Sequence, residues 1–376
     1  MLIAIPAETD PAEGRVAATP ETVKKYAGLG AEVRVEAGAG VASGFLDAHY
    51  AAAGAVIAAN AAAVRDADII LRVRRPSPAD VSGAKPGAAV LAIMDPYGHT
   101  DALKDLASAG VCAFAMELMP RITRAQTMDV LSSQANIAGY RAVIDAAAEY
   151  GRVIPMMMTA AGMIQPAKIF VMGVGVAGLQ AIATARKLAA IVTATDVRPA
   201  TKEQVVSLGA KFIAVEDDEF KEAETAAGYA KEMSPQYKEK QAALTASHIA
   251  SQDIVITTAL IPGRPAPVLI TAKMVETMRP GSVIVDLAVE RGGNCELSKP
   301  GETVTSSNGV KILGPINIAG RLPATASALY AKNLLAFLET LIDPKTKTLA
   351  IKWDDELVKA TLLTKDGALT HPSFQA

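Results

Sequence analysis

The chain has 376 residues, of which 51% are hydrophobic and 20% are charged, and its formal net charge is −2. That apolar content is enough to bury a core, which excludes a disordered chain, and the length fits two or three domains. The balance of 37 basic and 39 acidic residues gives no electrostatic case for nucleic acid as a partner.

Metal, disulfide and membrane classes are also disfavoured by the sequence. Cys112 and Cys295 lie far apart and the four histidines are scattered, which argues against a zinc site or a disulfide framework. The N-terminus lacks the features of a signal peptide. The most apolar window, residues 169–185, contains three glycines and falls short of the ~20 residues of a membrane span. We therefore expect a soluble protein of a reducing compartment.

The first third of the chain alternates short apolar strands with helical segments. Strands are predicted at residues 2–5, 32–36, 69–73, 89–93 and 112–115. A long helix is predicted at residues 132–150, with Ser132 or Ser133 as its cap and Gly151 as its stop. The position of this helix, before a second α/β region, indicates a connecting element.

The second region alternates more sharply, which indicates right-handed βαβ units and a parallel sheet. Its predicted strands are residues 168–172, 191–195, 211–215, 253–258, 282–287 and 311–314, with helices at 177–189 and 202–208. A charged insertion at residues 216–241 is expected to be disordered, a functional lid or a solvated helical excursion. The apolar residues 156–158 are interpreted as packing at the start of this region.

The end of the chain is predicted to rejoin the first region. A helix is expected at residues 323–342, followed by a strand at 347–353 and a hairpin at 360–371 that turns at Asp366-Gly367. The fold class is therefore α/β, with two Rossmann-like domains that have parallel sheets, are joined by long helices and enclose a cleft. The first domain comprises residues 1–131 plus 322–376, and the second comprises residues 132–321.

A glycine-rich sequence follows the predicted strand 168–172, in the order Gly173, Val174, Gly175, Val176, Ala177, Gly178. Between a strand and a helix, G-x-G-x-x-G binds a dinucleotide pyrophosphate at the helix N-terminus. The next strand ends at Asp196, where a carboxylate accepts ribose hydroxyls and repels a 2′-phosphate. Arg198 would suit NADP(H), but Asp196 holds the deciding position, so we predict NAD(H). The alternative is a glycine-rich turn with a surface aspartate.

Other segments resemble one family over nearly the whole chain. They read EGRVA at 13–17, AMELMPR at 115–121, RAQTMD at 124–129, LSSQ at 131–134, PMMMTAAG at 155–162, GVGVAGLQA at 173–181, ATDVR at 194–198, GYAKEM at 228–233, TTALIPG at 257–263 and DLAVE at 286–290. The chain resembles the soluble NAD(H)-binding component, domain I of the alpha subunit, of proton-translocating NAD(P) transhydrogenases. Alanine dehydrogenases are related enzymes with the same two-domain plan.

The resemblance implies partners and a location as well as a cofactor. It implies a homodimer, an NADP(H)-binding subunit and a membrane proton-channel subunit, so that the protein lies on the cytoplasmic face of the inner membrane through its partners. It implies a Re/Si-specific, proton-translocating transhydrogenase. It also implies that a mobile loop near residues 217–241, with Gly228 and Tyr229, closes over NAD(H). Val197 and Leu260 join the implied NAD(H) contacts.

Chemistry separates the two branches of this family. Oxidation of an amino acid needs an acid or base at the substrate carbon, whereas direct hydride transfer between two nicotinamides needs only geometry. The catalytic lysine position of the dehydrogenases is Arg74 here, and arginine is a poor proton shuttle. The nearest imidazole to the dehydrogenase histidine position, His99, is out of register. Transhydrogenase is the preferred interpretation; an alanine dehydrogenase-like enzyme and an NAD(H) sensor without turnover are the alternatives.

By the same resemblance, Arg121, Asp129 and Ser132 orient the carboxamide and ribose of the NAD(H) nicotinamide, and Gln126 reaches toward the partner's NADP(H). On the residues alone, other roles are about as well supported. Asp129 and Ser132 could cap the following helix, and Arg121 and Tyr229 could be ordinary exposed residues.

Overall fold

The structure is a computed structural model that describes residues 1–223 and 233–375. They form two compact units. The first consists of Met1–Gln134 and Ala319–Ala376, and the second of Ala135–Ile318. The first unit therefore uses both ends of the chain.

A parallel six-stranded sheet forms the centre of the first unit. Its strands are β1 (Leu2–Ile5), β2 (Glu32–Glu36), β3 (Val56–Ala58), β4 (Ile69–Arg74), β5 (Ala89–Ile93) and β6 (Cys112–Ala115), in the spatial order β3-β2-β1-β4-β5-β6. Three helices precede or connect strands on this part of the chain, namely α1 (Pro20–Gly28), α2 (Asp47–Ala52) and α3 (Thr100–Ser108). The strand order reverses between β1 and β4, the place where open α/β sheets bind ligands.

The strands of this sheet are apolar on both faces because both faces are covered. Ile69, Ile70 and Leu71 are consecutive in β4 and all are fully buried. One face packs into a core that includes α1 and Phe337, while the other packs against Leu103 and Leu106 of α3. Continuous apolar runs are expected in such two-sided parallel strands.

The second unit is built on a seven-stranded sheet. Helix α4 (Val130–Glu149) leads into it from the first unit. In chain order, its further elements are β7 (Met157–Thr159), β8 (Gly162–Ile164), β9 (Lys168–Met172), α5 (Val176–Lys187), β10 (Ile191–Thr195), α6 (Thr201–Ser207), β11 (Lys211–Phe212), α7 (Asp218–Lys221), α8 (Pro235–Ile249), β12 (Ile254–Thr257), α9 (Ala272–Thr277), β13 (Val283–Asp286), β14 (Thr303–Thr305) and β15 (Lys311–Leu313). The order is β11-β10-β9-β12-β13-β15-β14, parallel except between β14 and β15. The predicted α/β fold with two Rossmann-like parallel sheets is confirmed.

The C-terminal residues belong to the first unit. They form α10 (Pro323–Leu341), β16 (Ile342–Asp343), β17 (Thr348–Leu349), α11 (Glu356–Thr361), β18 (Thr364–Lys365) and β19 (Ala368–Leu369). The predicted hairpin turn at Asp366-Gly367 is confirmed, and both residues have the positive φ of such a turn, 51° and 76°. The predicted long strand at 347–353 is wrong, because only two residues pair with β16, and α11 was not predicted.

Two further expectations need correction. Helix α4 begins before Ser132, and Asp129 is its cap: the Asp129 carboxylate accepts from the Ser132 N–H at 2.8 Å. Much of the charged insertion is helical, in α7 and α8, which favours the helical interpretation for those residues. Gly228 and Tyr229 lie outside the described residues. None of the helices in residues 1–223 and 233–375 combines the length and the hydrophobicity that a membrane span requires.

Candidate functional site

The glycine loop after β9 has the geometry that its sequence predicts. Gly173 has φ +99°, which a residue with a Cβ rarely adopts, and its N–H donates to the Thr195 carbonyl at 2.9 Å. A Cβ at Gly178 would lie 1.9 Å from the Gly173 carbonyl oxygen, so the third glycine allows α5 to start against the loop. A Cβ at Gly175 would meet nothing within 4 Å. Packing therefore requires glycine at 173 and 178, and leaves position 175 open.

Helix α5 begins at this open position. Gly175 is its N-cap residue and provides no side-chain cap. The first N–H groups of any helix lack partners within the helix, and they carry partial positive charge. Gly139 of α4 lies close behind, where a Cβ would be 2.0 Å from the Ala177 carbonyl oxygen. The start of α5 is thus fixed by two close backbone contacts, which keeps its N–H groups in place for an anion.

A carboxylate ends the neighbouring strand β10. The two Asp196 oxygens accept from the Val174 N–H at 2.7 Å and from the Arg198 N–H at 2.9 Å. The Arg198 guanidinium donates to both oxygens, each at 2.9 Å, and the Asp196 side chain is only 8% exposed. Arg198 thus pairs with Asp196 itself, and the guanidinium is held in place instead of projecting as an independent anion-binding group.

The next loop, after β12, is locked to the glycine loop. The Thr258 hydroxyl donates to the Gly173 carbonyl at 2.9 Å. The Asn294 side chain bonds both the N–H and the carbonyl of Ala259, at 3.0 and 2.9 Å. The two loops at the carboxyl edge of the sheet are therefore one hydrogen-bonded assembly.

A fully buried aspartate at the end of β13 anchors this assembly. Asp286 accepts from the Thr257 hydroxyl at 3.0 Å, from the Asn294 N–H at 2.8 Å and from the Ser298 hydroxyl at 2.7 Å. Sequence reasoning did not single out Asp286 or Asn294 as site residues. A carboxylate that ends an apolar strand at the ligand-binding edge was the available signal.

The other predicted NAD(H) residues differ in exposure. Val174 is buried in the core of the unit, so its side chain is unavailable to a ligand. Val176, Val197 and Leu260 are exposed at the same edge of the sheet, by 38%, 40% and 53%. These apolar surfaces flank the glycine loop and Asp196.

In the first unit, the loop between β6 and α4 carries Arg121, Gln126 and Asp129, and the first turn of α4 carries Ser132. Asp129 accepts from both the N–H and the hydroxyl of Ser132, at 2.8 and 2.6 Å. Asp129 therefore caps α4, and the two hydrogen bonds hold Asp129 and Ser132 together. Arg121 and Gln126 have exposed side chains on the same loop.

A buried ion cluster lies where β1 and β4 end in the first unit. Glu13 pairs with Arg15 at 2.6 Å and with Arg74 at 2.8 Å. Burial by itself would raise the pKa of Glu13, but the hydrogen bond and charge of Arg15 and the charge of Arg74 lower it below its usual value. Arg74, which stands at the position of the catalytic lysine of the dehydrogenases, is therefore the partner of a carboxylate whose pKa is lowered.

A second set of charges sits beside it. Glu8 accepts from the N–H groups of Val73 and Arg74 at 2.7 and 3.2 Å, and lies 3.5 Å from Arg72. Arg72 is 2% exposed and also approaches Asp80 at 3.3 Å. A polar cavity of about 210 Å³ remains beside these groups. Burial raises the pKa of Glu8, while the charge of Arg72 opposes that rise.

Histidine chemistry is not evident at the dehydrogenase histidine position. The side chain of His99 is 42% exposed, and its Nδ1 lies 3.0 Å from the carbonyl oxygen of Asp95. The residues before it are held by Glu117, whose carboxylate accepts from the Met94 N–H at 3.1 Å and from the Asp95 N–H. Burial raises the pKa of Glu117. No group of three or more potential metal ligands occurs among the described residues.

The three methionines at residues 156–158 are exposed to solvent. Residues 156–158 do not pack in a core: Met156, Met157 and Met158 are 56%, 43% and 71% exposed at the start of the β7–β8 hairpin. The packing expectation was wrong because the hairpin projects its apolar side chains.

Cys295 is buried, and burial raises the pKa of its thiol to about 11, so it stays protonated and is a poor nucleophile.

Both halves of the chain match the profiles of one protein family. The profile of the N-terminal domain of alanine dehydrogenase/PNT matches residues 4–138, and that of the C-terminal domain matches residues 142–372. The chain belongs to the alanine dehydrogenase/PNT family. The predicted family resemblance is confirmed over both halves of the chain.

Individual members of the alanine dehydrogenase/PNT family differ in how similar they are to this chain. A chain of the NAD(P) transhydrogenase alpha subunit of Rhodospirillum rubrum is 56% identical over 380 residues, covering 100% of this chain and 99% of that protein. A crystal structure of transhydrogenase from Sinorhizobium meliloti is 60% identical with a TM-score of 0.90, covering 98% of this chain and 100% of that one. Alanine dehydrogenase of Halomonas elongata is 30% identical over 99% of this chain and 95% of that enzyme. The close relatives are transhydrogenase alpha subunits, and the alanine dehydrogenases are distant.

Proposed function

We propose that this chain is the NAD(H)-binding component of a proton-translocating transhydrogenase, and that it passes hydride reversibly between NADH and NADP⁺ held on a partner subunit. The observation that carries the proposal is the glycine loop with its open position at Gly175 and its acid at Asp196. This loop occurs in a chain that is 56% identical, end to end, to a transhydrogenase alpha-subunit chain. Re/Si specificity and proton coupling belong to the same proposal.

NAD(H) is preferred over NADP(H) for an electrostatic reason. Asp196 stands at the end of the second strand of the dinucleotide fold, where its carboxylate would accept the ribose hydroxyls and repel a 2′-phosphate. Arg198 donates to that same carboxylate through two nitrogens. A guanidinium engaged in this way is oriented toward Asp196 and offers less to a phosphate.

The reaction itself needs no acid or base from this chain. Hydride transfer between two nicotinamides moves no proton at the reacting carbons, so the protein contributes position and the exclusion of water. Arg74 pairs with Glu13 and cannot act as a proton shuttle near neutral pH. These residues favour transhydrogenation over an alanine dehydrogenase-like reaction.

Four residues of the first unit are proposed to serve the nicotinamide. Arg121, Asp129 and Ser132 would orient its carboxamide and ribose, and the exposed Gln126 would reach toward NADP(H) on the partner. Asp129 accepts two bonds from Ser132 and retains lone pairs for a ligand donor. The cap and the cofactor role are thus compatible. Gly228 and Tyr229, with the segment 217–241, are proposed to close over NAD(H), on the resemblance.

The proposed assembly is a homodimer that joins an NADP(H)-binding subunit and a membrane proton-channel subunit. It would lie on the cytoplasmic face of the inner membrane. The β7–β8 hairpin supports association, because Met158, Met163 and Ile164 are exposed by 71%, 51% and 41% on an apolar surface. Sedimentation velocity would give the oligomeric state directly, and a monomer at micromolar concentration would contradict the homodimer.

Paired substitutions test the function. We expect Asp196→Asn to raise the NADH dissociation constant roughly tenfold or more, since it removes the charge that accepts the ribose hydroxyls. At saturating NADH, the transfer rate of this variant should change little. Gln126→Asn should do the opposite, with unchanged NADH affinity and slower transfer to an NAD analogue from NADPH on the partner subunit. Equal effects of both changes on both quantities would contradict the assigned roles.

The alternatives give different results. An alanine dehydrogenase-like enzyme would turn over NADH with pyruvate and ammonia in the absence of any partner. A sensor without turnover would bind NADH yet transfer no hydride even with the NADP(H)-binding subunit present. The transhydrogenase proposal expects no turnover in the first assay and robust transfer in the second.

A further inference from the structure

The loop that carries Arg121 and Gln126 is held by Asn333, a residue that is distant in the sequence and binds the loop at Thr127. Its central segment, Thr123–Met128, is a 3₁₀ helix, a form with poorer hydrogen-bond geometry than the α-helix. Ala125 and Met128 are buried in the core of the first unit, at 1% and 5% exposure. Within the segment itself, only these local hydrogen bonds and the two buried side chains hold the loop in place.

Asn333 of helix α10 supports the far end of this loop. Its Nδ2 donates to the Thr127 carbonyl at 2.8 Å, and its Oδ1 accepts from the Ser133 hydroxyl at 2.7 Å. Asn333 is 8% exposed, so these bonds are shielded from water. One amide therefore joins the residue next to Gln126 to the first turn of α4, the turn that Asp129 caps.

Arg124 binds the same loop to the start of α11. Its two terminal nitrogens each donate to Asp355 at 2.9 Å, and one also approaches Glu356 at 3.2 Å. The planar fork of arginine matches a carboxylate and fixes direction as well as distance. The Arg124 side chain is 46% exposed, however, so this contact is worth less than the buried amide.

We infer that Asn333 is a positioning residue for hydride transfer, with Arg124 and Asp355 as a weaker second fastening. The inference rests on the proposed function, since it assigns the C-terminal segment the task of holding Gln126 and Asp129 in the geometry that two nicotinamides need. Hydride transfer is steep in distance, and a misplacement of 1 Å can cost about a hundredfold in rate. The side-chain hydrogen bonds of Asn333 go to the Thr127 carbonyl and the Ser133 hydroxyl, so its effect on the reaction is transmitted through the loop.

The test uses the whole chain assembled with its NADP(H)-binding subunit. Hydride transfer from NADPH to acetylpyridine adenine dinucleotide is followed in a single turnover, and NADH affinity is measured separately on the same preparation. Asn333→Asp keeps the acceptor for Ser133 and loses the donor to Thr127. We expect transfer to fall about tenfold while the NADH dissociation constant stays within about twofold.

Graded variants keep the test informative if Asn333→Asp folds poorly. Ser133→Ala removes one of the two bonds and should slow transfer about threefold, and Arg124→Gln about twofold. Thr340→Val is the matched control on α10, because it deletes a hydrogen bond to Phe337 that has no link to the loop. It should leave transfer unchanged.

The outcomes separate the positioning role of Asn333 from the proposed function. If Asn333→Asp and Ser133→Ala fold and transfer at the wild-type rate while Gln126→Asn is slow, the positioning role is wrong and the proposed function stands. Transfer that is insensitive to Gln126→Asn as well would overturn the assigned function of the loop. A parallel loss of NADH affinity and transfer in Asn333→Asp would mean a structural role only.

Discussion

The carboxyl edges of the two sheets share one hydrogen bond and differ in the residues that surround it. In each unit, the acid that ends the second strand accepts from the N–H two residues after the first strand. Glu36 accepts from Ala7 at 2.9 Å in the first unit, and Asp196 accepts from Val174 at 2.7 Å in the second. The strand order also reverses at the same point in both sheets, between the first and fourth strands of each.

The residues after the first strand make the difference. In the second unit they include three glycines, an uncapped helix start and an open position at Gly175. In the first unit they form a charged loop whose Glu8 and Glu13 are bound by arginines from β4 and from the same loop. The shared acid thus does not by itself make a dinucleotide site. Exposed backbone N–H groups are needed as well, whereas the cavity beside this loop in the first unit is lined by charged side chains such as Glu8 and Arg72.

The largest effect is expected at the ion cluster of the first unit. Glu13→Gln leaves Arg15 and Arg74 without their buried counter-charge, and we expect a loss of about 3–5 kcal/mol in the free energy of unfolding. Urea denaturation measures it. Glu32→Gln, which removes only an exposed ion pair with Arg34, is the control and should cost far less.

This effect should depend on pH in a defined direction. The folded-state pKa of Glu13 is lowered from its usual 4.5, so its stabilisation is complete above about pH 4.5 and is lost as the pH falls through the folded-state value. The deficit of Glu13→Gln should therefore shrink below about pH 4.5. A deficit that is constant from about pH 7 to about pH 3 would mean that shape, and not charge, holds the cluster.

In the second unit, two glycine substitutions separate packing from binding. Gly178→Ala places a Cβ on the Gly173 carbonyl and should destabilise the protein by about 3 kcal/mol. Gly175→Ala meets no atom, so stability should be unchanged, while NADH affinity should fall roughly tenfold because the added methyl group faces the pyrophosphate. Denaturation and NADH fluorescence titration measure the two quantities. Normal NADH affinity in Gly175→Ala would contradict the assigned phosphate position.

The smallest effect is expected at Glu36. The amide of Glu36→Gln can still accept from the Ala7 N–H, so stability should change by less than about 1 kcal/mol and NADH affinity not at all. Asp196→Asn, at the equivalent position, should weaken NADH binding. Isothermal titration of both variants decides the comparison: a similar loss in Glu36→Gln would mean that the first unit also takes part in dinucleotide binding.

Elements with a strong local signal were predicted well. Strands such as β9 and β10 were predicted residue for residue, because an apolar run bounded by polar residues and glycine has one good interpretation. The short helix α11 and the hairpin β7–β8 were missed. In α11 six residues are too few to show a period, and in the hairpin the apolar side chains face outward, against the rule that apolar residues mark a core.

The sequence by itself determined the α/β class, the place of the glycine loop and the identity of Asp196, because the short-range sterics of glycine and the alternation of strands are written in neighbouring residues. It could not determine the long-range hydrogen bonds. Asn333 holding Thr127, Arg198 turning onto Asp196 and Asp286 anchoring the loop of Asn294 depend on groups that meet only after the sheets have formed. Local propensity carries no information about which distant donor will meet which acceptor, and there the tertiary structure decides.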